Sequence, residues 1–295
     1  MASVLLTGAE GFTGRYVSDA LRQAGYRVLG LVRGVPAQAD HFQVDLTDAA
    51  ALRELVSRLQ PDYVVHLAAL AFVAQQDVES FYRVNLFGTL NLLDALIVAR
   101  SPVRKVIVSS SANVYGNARH SPVAEDTCPA PVNHYAMSKL AMEHMALTRL
   151  DRLPIVITRP FNYTGVGQSE NFLIPKIVTH FRRREPVIRL GNLDVEREFN
   201  DVRMVAKAYL SLLEKADAGA TVNICSGQGW RLRDVVDCLT HMSGHGIDIE
   251  VDPILIRANE VRQLIGNSEK LRTLIGSPPT FSLKETLNWM LCVDN

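Results

Sequence analysis

The chain predicts an α/β fold built on a doubly wound parallel sheet, with a smaller α/β region toward its C-terminus. Through the first 160 residues, short apolar runs of strand length alternate with stretches whose apolar residues recur at helical spacing. Between the first strand and the first helix lies a glycine-spaced turn, Thr7-Gly8-Ala9-Glu10-Gly11-Phe12-Thr13-Gly14. Parallel neighbours need a crossover, and helices placed in the crossovers cover both faces of the sheet.

The elements follow in order. Residues 4–7 read as a buried strand, 12–24 as a helix ending near Gly25, and 27–32 as a second strand. A short strand at 42–44 precedes a helix at 48–59, closed by Pro61. Strands at 63–67 and 103–109 flank a long helix at 78–99, and a helix at 133–150 with a strand at 155–158 completes the alternation. Beyond Arg159 the pattern loosens: 161–167 is turn-rich, 201–214 reads as a helix, 221–224 as a strand and 232–242 as a helix. The expected division is a dinucleotide-binding domain over 1–160 and a substrate-binding region over 161–295, with segments interleaved between the two.

An apolar content of 47% in 295 residues provides for an ample core. Basic and acidic residues balance at 31 each, so no global field draws the chain to nucleic acid or to an anionic membrane, and neither is expected as a partner. The apolar runs are interrupted by polar residues and are too short to span a bilayer, and residues 1–6 lead straight into a strand, so a cytoplasmic location is expected. Cys128, Cys225, Cys238 and Cys292 are dispersed, without the paired spacing of a metal site or disulfide framework.

Gly8, Gly11 and Gly14 stand directly after a strand and open a helix. Glycines let backbone amides approach a pyrophosphate, and the helix N-terminus offers it partial positive charge, so a dinucleotide is the expected ligand, with Phe12 and Thr13 beside it. The second strand ends in Val32-Arg33, where an arginine suits a 2′-phosphate and an acidic residue would suit a 2′-hydroxyl, so NADP(H) is favoured over NAD(H). Asp45, with Leu46 beside it, is placed to accept from an adenine amino group or to cap the next helix.

Tyr135 and Lys139 are four apart on a helix and project from one face. A free phenol has a pKa of about 10, and an ammonium nearby favours the phenolate, so Lys139 is expected to draw Tyr135 toward the working range. The Ser111 hydroxyl, in Ser111-Ala112-Asn113-Val114-Tyr115-Gly116, is suited to holding a carbonyl or alkoxide oxygen against that tyrosine.

Taken in order, the glycine turn, His66-Leu67-Ala68-Ala69, Asn85, the Ser111 segment, Tyr135-Ala136-Met137-Ser138-Lys139 and Arg159-Pro160-Phe161-Asn162 closely resemble the extended short-chain dehydrogenase/reductases that act on nucleotide sugars. The resemblance covers nearly the whole chain. It implies Ser111, Tyr135 and Lys139 as the catalytic set, with Leu67, Ala68, Ala69, Asn85, Ser109 and Pro160 near the cofactor and Asn113 and Asn162 facing the sugar nucleotide. It also implies a homodimer formed through a four-helix bundle from helices 78–99 and 133–150.

Residues 191–194, 197–202 and 223–227 and the segment Arg257-Ala258-Asn259-Glu260-Val261 look like GDP-4-keto-6-deoxy-mannose reductases and their dehydratase relatives. By that resemblance Asn171, Lys176, Asn192, Arg197, Arg257 and Glu260 contact the nucleotide, arginine suiting a diphosphate and a carboxylate suiting the donor edge of guanine. The run Arg182-Arg183-Arg184 reads as a solvated charge cluster. Dehydratases of the family carry an acidic pair after the catalytic Ser or Thr; Ala112 and Asn113 stand there and cannot serve elimination as acid or base. The expected activity is reduction of a 4-keto-6-deoxy sugar nucleotide, with a 4-epimerase retaining bound NAD, or a non-catalytic dinucleotide-binding protein, as alternatives.

Overall fold

In a computed structural model, which describes residues 1–71, 77–255, 261–277 and 279–293, the alternation takes the form its periodicity predicts. β1 (Ser3–Thr7), α1 (Phe12–Gln23), β2 (Arg27–Val32), β3 (His41–Gln43), α2 (Ala49–Leu59) and β4 (Tyr63–His66) follow one another. A helical rod runs from α3 (Val78–Phe81) through a π-helical turn (Tyr82–Gly88) into α4 (Thr89–Val98), followed by β5 (Lys105–Ser109), α5 (His134–Leu147) and β6 (Ile155–Pro160). The remainder comprises β7 (Tyr163–Thr164), α6 (Leu173–Arg182), β8 (Val187–Leu190), β9 (Glu196–Arg197), β10 (Asn200–Asp201), α7 (Val202–Lys215), β11 (Thr221–Ile224), β12 (Trp230–Arg231), α8 (Leu232–Ser243), β13 (Asp248–Val251), β14 (Gln263–Leu264), α9 (Glu269–Ile275) and α10 (Leu283–Cys292).

Seven strands form one sheet in the order β11-β6-β5-β4-β1-β2-β3, every neighbouring pair parallel. Chain direction through the sheet reverses at the β1–β4 pair, so the glycine turn after β1 and the loop after β4 open side by side at the carboxyl edge. That crevice is where open α/β sheets bind ligands. One face of the sheet buries Val4, Leu6 and Val65 against α1, α7 and α9, and the other buries Leu5, Val64 and Val106 against α2, α4 and α5. Such two-sided burial explains why these strands read as continuous apolar runs.

The later elements divide by where their apolar faces go. α7, β11 and α9 join the large sheet, whereas α6, α8 and α10 bury Ile177, Phe181, Leu239 and Leu287 in a core of their own with β8. α6 has no counterpart in the sequence reading; its Pro175 lies in the first turn, where a missing N–H removes no helical bond. The rod Val78–Val98 is long and apolar enough by length and composition to cross a membrane. Part of its apolar surface has partners inside the fold, since Leu92, Leu93, Ala95 and Leu96 are buried under the sheet, while Phe87 and Val98 are exposed.

Candidate active site

The glycine turn is shaped by close approach. Gly8 has φ +70°, and a Cβ there would press within 3.1 Å of the Ala68 backbone; a Cβ on Gly14 would fall 2.0 Å from the Gly8 carbonyl oxygen. The cradle therefore admits no side chain at either position, and the backbone of β4's following loop lies against it. Gly11 caps α1 without a side-chain bond and the first turn carries no acidic residue, leaving its N–H groups to an anion. A dinucleotide pyrophosphate fits these residues. The Thr13 hydroxyl is hydrogen-bonded to Tyr163 Oη at 2.7 Å, and the Phe12 ring stacks on Tyr163 at 6.1 Å, so the turn is tied across the crevice to β7.

At the far end of the crevice Arg33 is exposed after β2. Asp45 accepts from the Thr47 N–H and hydroxyl at 2.8 and 2.7 Å, bonds that hold its carboxyl below the ordinary range, with Arg33 adding a smaller pull in the same direction. The helix cap considered for Asp45 belongs to Asp48, which accepts from Ala50 and Ala51 N–H. Leu46 is buried against Gly88.

A buried chain of polar groups fixes the loop after β4. Thr89 Oγ1 donates to the Asn85 carbonyl at 2.7 Å, so in its 2.8 Å contact with His66 Nε2 it must accept. The imidazole is then the Nε2–H tautomer, and its Nδ1 accepts from Thr7 Oγ1 at 2.7 Å. That oxygen in turn accepts from the N–H groups of Leu67 and Ala68. Burial first, and the Lys139 charge second, push His66 down to about 3 and keep it neutral. Asn85, on the π turn, clamps Leu70 through both backbone groups and donates to Ser138 Oγ on α5. Its side chain is fully buried, so it acts on the loop beside Ala69 rather than reaching into the crevice.

The predicted catalytic set converges from three elements. Ser111 caps the 3₁₀ turn Ala112–Tyr115 after β5, and its Oγ accepts from Asn113 N and Nδ2 at 3.2 and 3.0 Å. With its acceptor side filled, the Ser111 hydroxyl has its proton left to give, and it acts downward on the proton affinity of Tyr135. Asn133 caps α5 by accepting from Ala136 N–H, setting Tyr135 and Lys139 on the inward face. Lys139 Nζ donates to the Ser109 carbonyl at 2.7 Å, and Ser109 Oγ is hydrogen-bonded to Tyr209 Oη.

One expectation is corrected here. Tyr135 is not drawn down toward neutrality: burial pushes it up to about 12, against the opposing hydrogen bond from Ser111, and Lys139 is not among the groups acting on it. Desolvation dominates because both side chains lie within the core, where it disfavours any charge. The same burial brings Lys139 down to about 8, with Glu143 opposing.

On the substrate side the candidates spread over several elements. Asn162 follows β6, and its carbonyl accepts from Asn200 N at 2.9 Å. Pro160 is buried at the end of β6, beside Ile224. Asn171 is exposed before α6, while Lys176 Nζ donates to the Arg189 carbonyl. Asn192 Oδ1 accepts from Asp194 N–H in the loop after β8. Arg197 donates to the carbonyls of Glu196 and Val261. Arg257 and Glu260 lie outside the described residues, but Leu255 packs on Gly191 and Val261 is held by Arg197. Arg183 and Arg184 are exposed and Arg183 pairs with Glu170.

Several residues at the site lie within segments that carry the family resemblance, yet no role was read for them there. Glu198 is fully buried and accepts from the N–H groups of Ser226, Gly227 and Gly266 and from Asn200 Nδ2, joining loops far apart in the chain. Arg159 pairs with Glu143 at 2.6 Å and donates to Tyr115 Oη, which donates to Asn223 Oδ1. Glu143, outside those segments, stands one helical turn beyond Lys139.

The arrangement can hold a dinucleotide along the carboxyl edge and present a protonated phenol, a hydroxyl and a buried amine at its end. Comparison with known proteins agrees with this geometry. The model of the NAD dependent epimerase/dehydratase family matches residues 4–225. The chain is 34% identical to a GDP-6-deoxy-D-talose 4-dehydrogenase of Aggregatibacter actinomycetemcomitans, over 95% of this chain and 93% of that protein. It is 33% identical to a GDP-6-deoxy-D-mannose reductase of Pseudomonas aeruginosa, over 98% and 95%. The structure of RMD from Pseudomonas aeruginosa complexed with NADPH superposes with a TM-score of 0.88 at 31% identity, covering 99% of this chain and 98% of that one.

Proposed function

Because the chain belongs to the NAD dependent epimerase/dehydratase family and is a nucleotide-sugar-modifying enzyme with a nicotinamide dinucleotide cofactor, we propose that it reduces the 4-keto group of a GDP-linked 4-keto-6-deoxy sugar, using NADPH in preference to NADH. When bound, the reduced nicotinamide supplies a hydride to the carbonyl carbon. Tyr135 delivers the proton to the oxygen, Ser111 holds that oxygen, and Lys139 fixes the end of the crevice against β5. Positioning and charge stabilisation at the oxygen carry most of the acceleration.

The observation that supports this reading is the convergence of the Ser111 hydroxyl, the buried Tyr135 phenol and Lys139 at the end of the crevice, in a chain 33% identical to a GDP-6-deoxy-D-mannose reductase. Burial acts upward on the proton affinity of Tyr135, in keeping with a phenol that enters the reaction as a proton donor. Asn113, committed to Ser111, and Ala112 supply no acid or base for dehydration. Arg33 is the group that favours the 2′-phosphate of NADPH. Arg197, Lys176 and Asn192 are the described candidates for the diphosphate and base.

The test is to mix the protein with NADPH and freshly prepared GDP-4-keto-6-deoxy-mannose and follow absorbance at the reduced-nicotinamide band, with the product configuration read by NMR. Stoichiometric consumption of NADPH is expected, and Tyr135→Phe should lower kcat by about 10²–10⁴-fold with NADPH binding intact. Conversion of a GDP-sugar without net NADPH consumption would establish the epimerase instead. Phe87, Val98, Met137, Met145 and Leu150 are exposed on the α3–α4 rod and around α5, and a homodimer burying them in a four-helix bundle follows from the same reading. Light scattering at twice the 32.6 kDa chain mass checks it.

A further inference from the structure

Lys139 is an amine buried to 3% exposure whose hydrogen bond goes to a neutral acceptor, the Ser109 carbonyl. An ammonium in such a place is strongly disfavoured unless a negative charge lies near. Among the described residues, the neighbouring elements bring these groups to its surroundings. From β4 comes His66, locked as the neutral Nε2–H tautomer and under the influence of the lysine; from the π turn Asn85, uncharged, bonds Ser138 beside the lysine. Its own helix contributes Tyr135, a neutral phenol, and Glu143, one turn further on. Tyr209 of α7 stands behind Ser109 as another neutral phenol. Glu143 is the one anion in this set. Its carboxylate is itself buried at 3% exposure and is fixed by a two-pronged bond to Arg159 on β6, Nε to Oε1 at 3.0 Å and Nη2 to Oε2 at 2.6 Å. Arg159 is locked in turn: it lies over the Tyr115 ring at 4.8 Å and donates to Tyr115 Oη and the Glu125 carbonyl.

We propose that Glu143, clamped by Arg159, is the positioning residue that keeps Lys139 charged within the dry interior, acting through the lysine and touching neither substrate nor cofactor. The Glu143–Arg159 pair would be an odd device for stability alone. Buried ion pairs seldom stabilise relative to apolar residues of the same size, because desolvation offsets the attraction. What the pair does supply is a carboxylate fixed one helical turn from the amine. Glu143 acts upward on the proton affinity of Lys139, against desolvation.

The inference rests on the reading of Lys139 as part of the active site, but its test does not require turnover. Lysine labelled with ¹³C at the ε-carbon is followed by NMR against pH, with Lys139→Met identifying the resonance. In Glu143→Gln the Lys139 midpoint should fall by about one pH unit, as expected when a nearby opposite charge is removed, and Glu143→Asp should restore most of it. Arg149→Met, which breaks the Arg149–Asp94 pair near the end of the same helix, should leave the midpoint where it is. If Glu143→Gln does not fold, Glu143→Gln with Arg159→Met removes both buried charges together, and the midpoint should still fall. An unmoved or raised Lys139 midpoint in whichever of these folds overturns the inference. A midpoint that moves as stated in a protein that oxidises NADPH with no keto sugar sustains it while removing the proposed reductase activity.

Discussion

Asn113 bonds the Ser111 Oγ twice, from its backbone N–H and from its side-chain amide, and thereby fills the serine's acceptor side and leaves the hydroxyl's own proton to be given. A residue read from sequence as a sugar contact thus bonds the hydroxyl proposed to hold the substrate oxygen. Asn113→Ala removes one neutral hydrogen bond, worth about 1 kcal/mol, while the backbone donor remains. A fall in kcat of about fivefold with KM for the sugar nearly constant is expected. A large rise in KM at constant kcat would return Asn113 to substrate binding.

Gly14→Ala tests the cradle. Its methyl would stand 2.0 Å from the Gly8 carbonyl oxygen, whereas Gly34 has open space at the same construction. Overpacking of this kind costs about 1–3 kcal/mol, and here it also deforms the turn proposed to receive the pyrophosphate. The variant should melt lower and bind NADPH at least about tenfold more weakly, with Gly34→Ala close to the parent in both. Equal NADPH titration curves for parent and Gly14→Ala would remove the turn from the cofactor site.

His66 makes stability depend on acid. Its folded pKa is depressed to about 3, whereas the unfolded imidazole titrates near 6.5. Below 6.5 the unfolded chain takes up a proton that the folded chain refuses, so the stability His66 contributes is complete above pH 6.5 and is lost as pH falls toward 3. Between pH 7 and pH 4.5 the urea-unfolding free energy of the parent should drop by about 2.5 kcal/mol more than that of His66→Gln. Parallel pH profiles for the two proteins would mean that the imidazole is accessible to protons in the fold.

Arg33 is exposed, and its surroundings include the Asp45 carboxylate that Thr47 holds in place. A charge-assisted contact to a 2′-phosphate at such a site is worth about 1.5–3 kcal/mol. Arg33→Ala should raise KM for NADPH roughly tenfold or more and leave KM for NADH within about twofold. Steady-state kinetics with both cofactors decide it, and an equal effect on the two would assign the phosphate to another group.

The strands of the large sheet and the helices between them were legible because each buries one continuous apolar face, and that periodicity survives in the sequence whatever the neighbours are. α6, β8 and α10 were not, since they pack on one another in a second core and their short, mixed patterns acquire meaning only from that contact. The same division runs through the site. Gly8, Gly11 and Gly14 announce themselves because backbone geometry is local, and Tyr135 with Lys139 because a helix places residues four apart on one face. The proton affinities of those two side chains were misjudged in direction for the tyrosine, because desolvation depends on what covers them.

From its sequence alone this protein specifies a parallel α/β sheet, a glycine turn after its first strand, and a Ser–Tyr–Lys set downstream of it, all features written in spacings of a few residues. Folding decided what spacing cannot express: that Asn113 serves Ser111, that His66 is sealed as a neutral tautomer between Thr7 and Thr89, and that Arg159 and Glu143 meet beside Lys139. Charge and hydrogen-bond direction in a buried site depend on every group within reach and on the exclusion of water, and only the assembled chain brings those groups together.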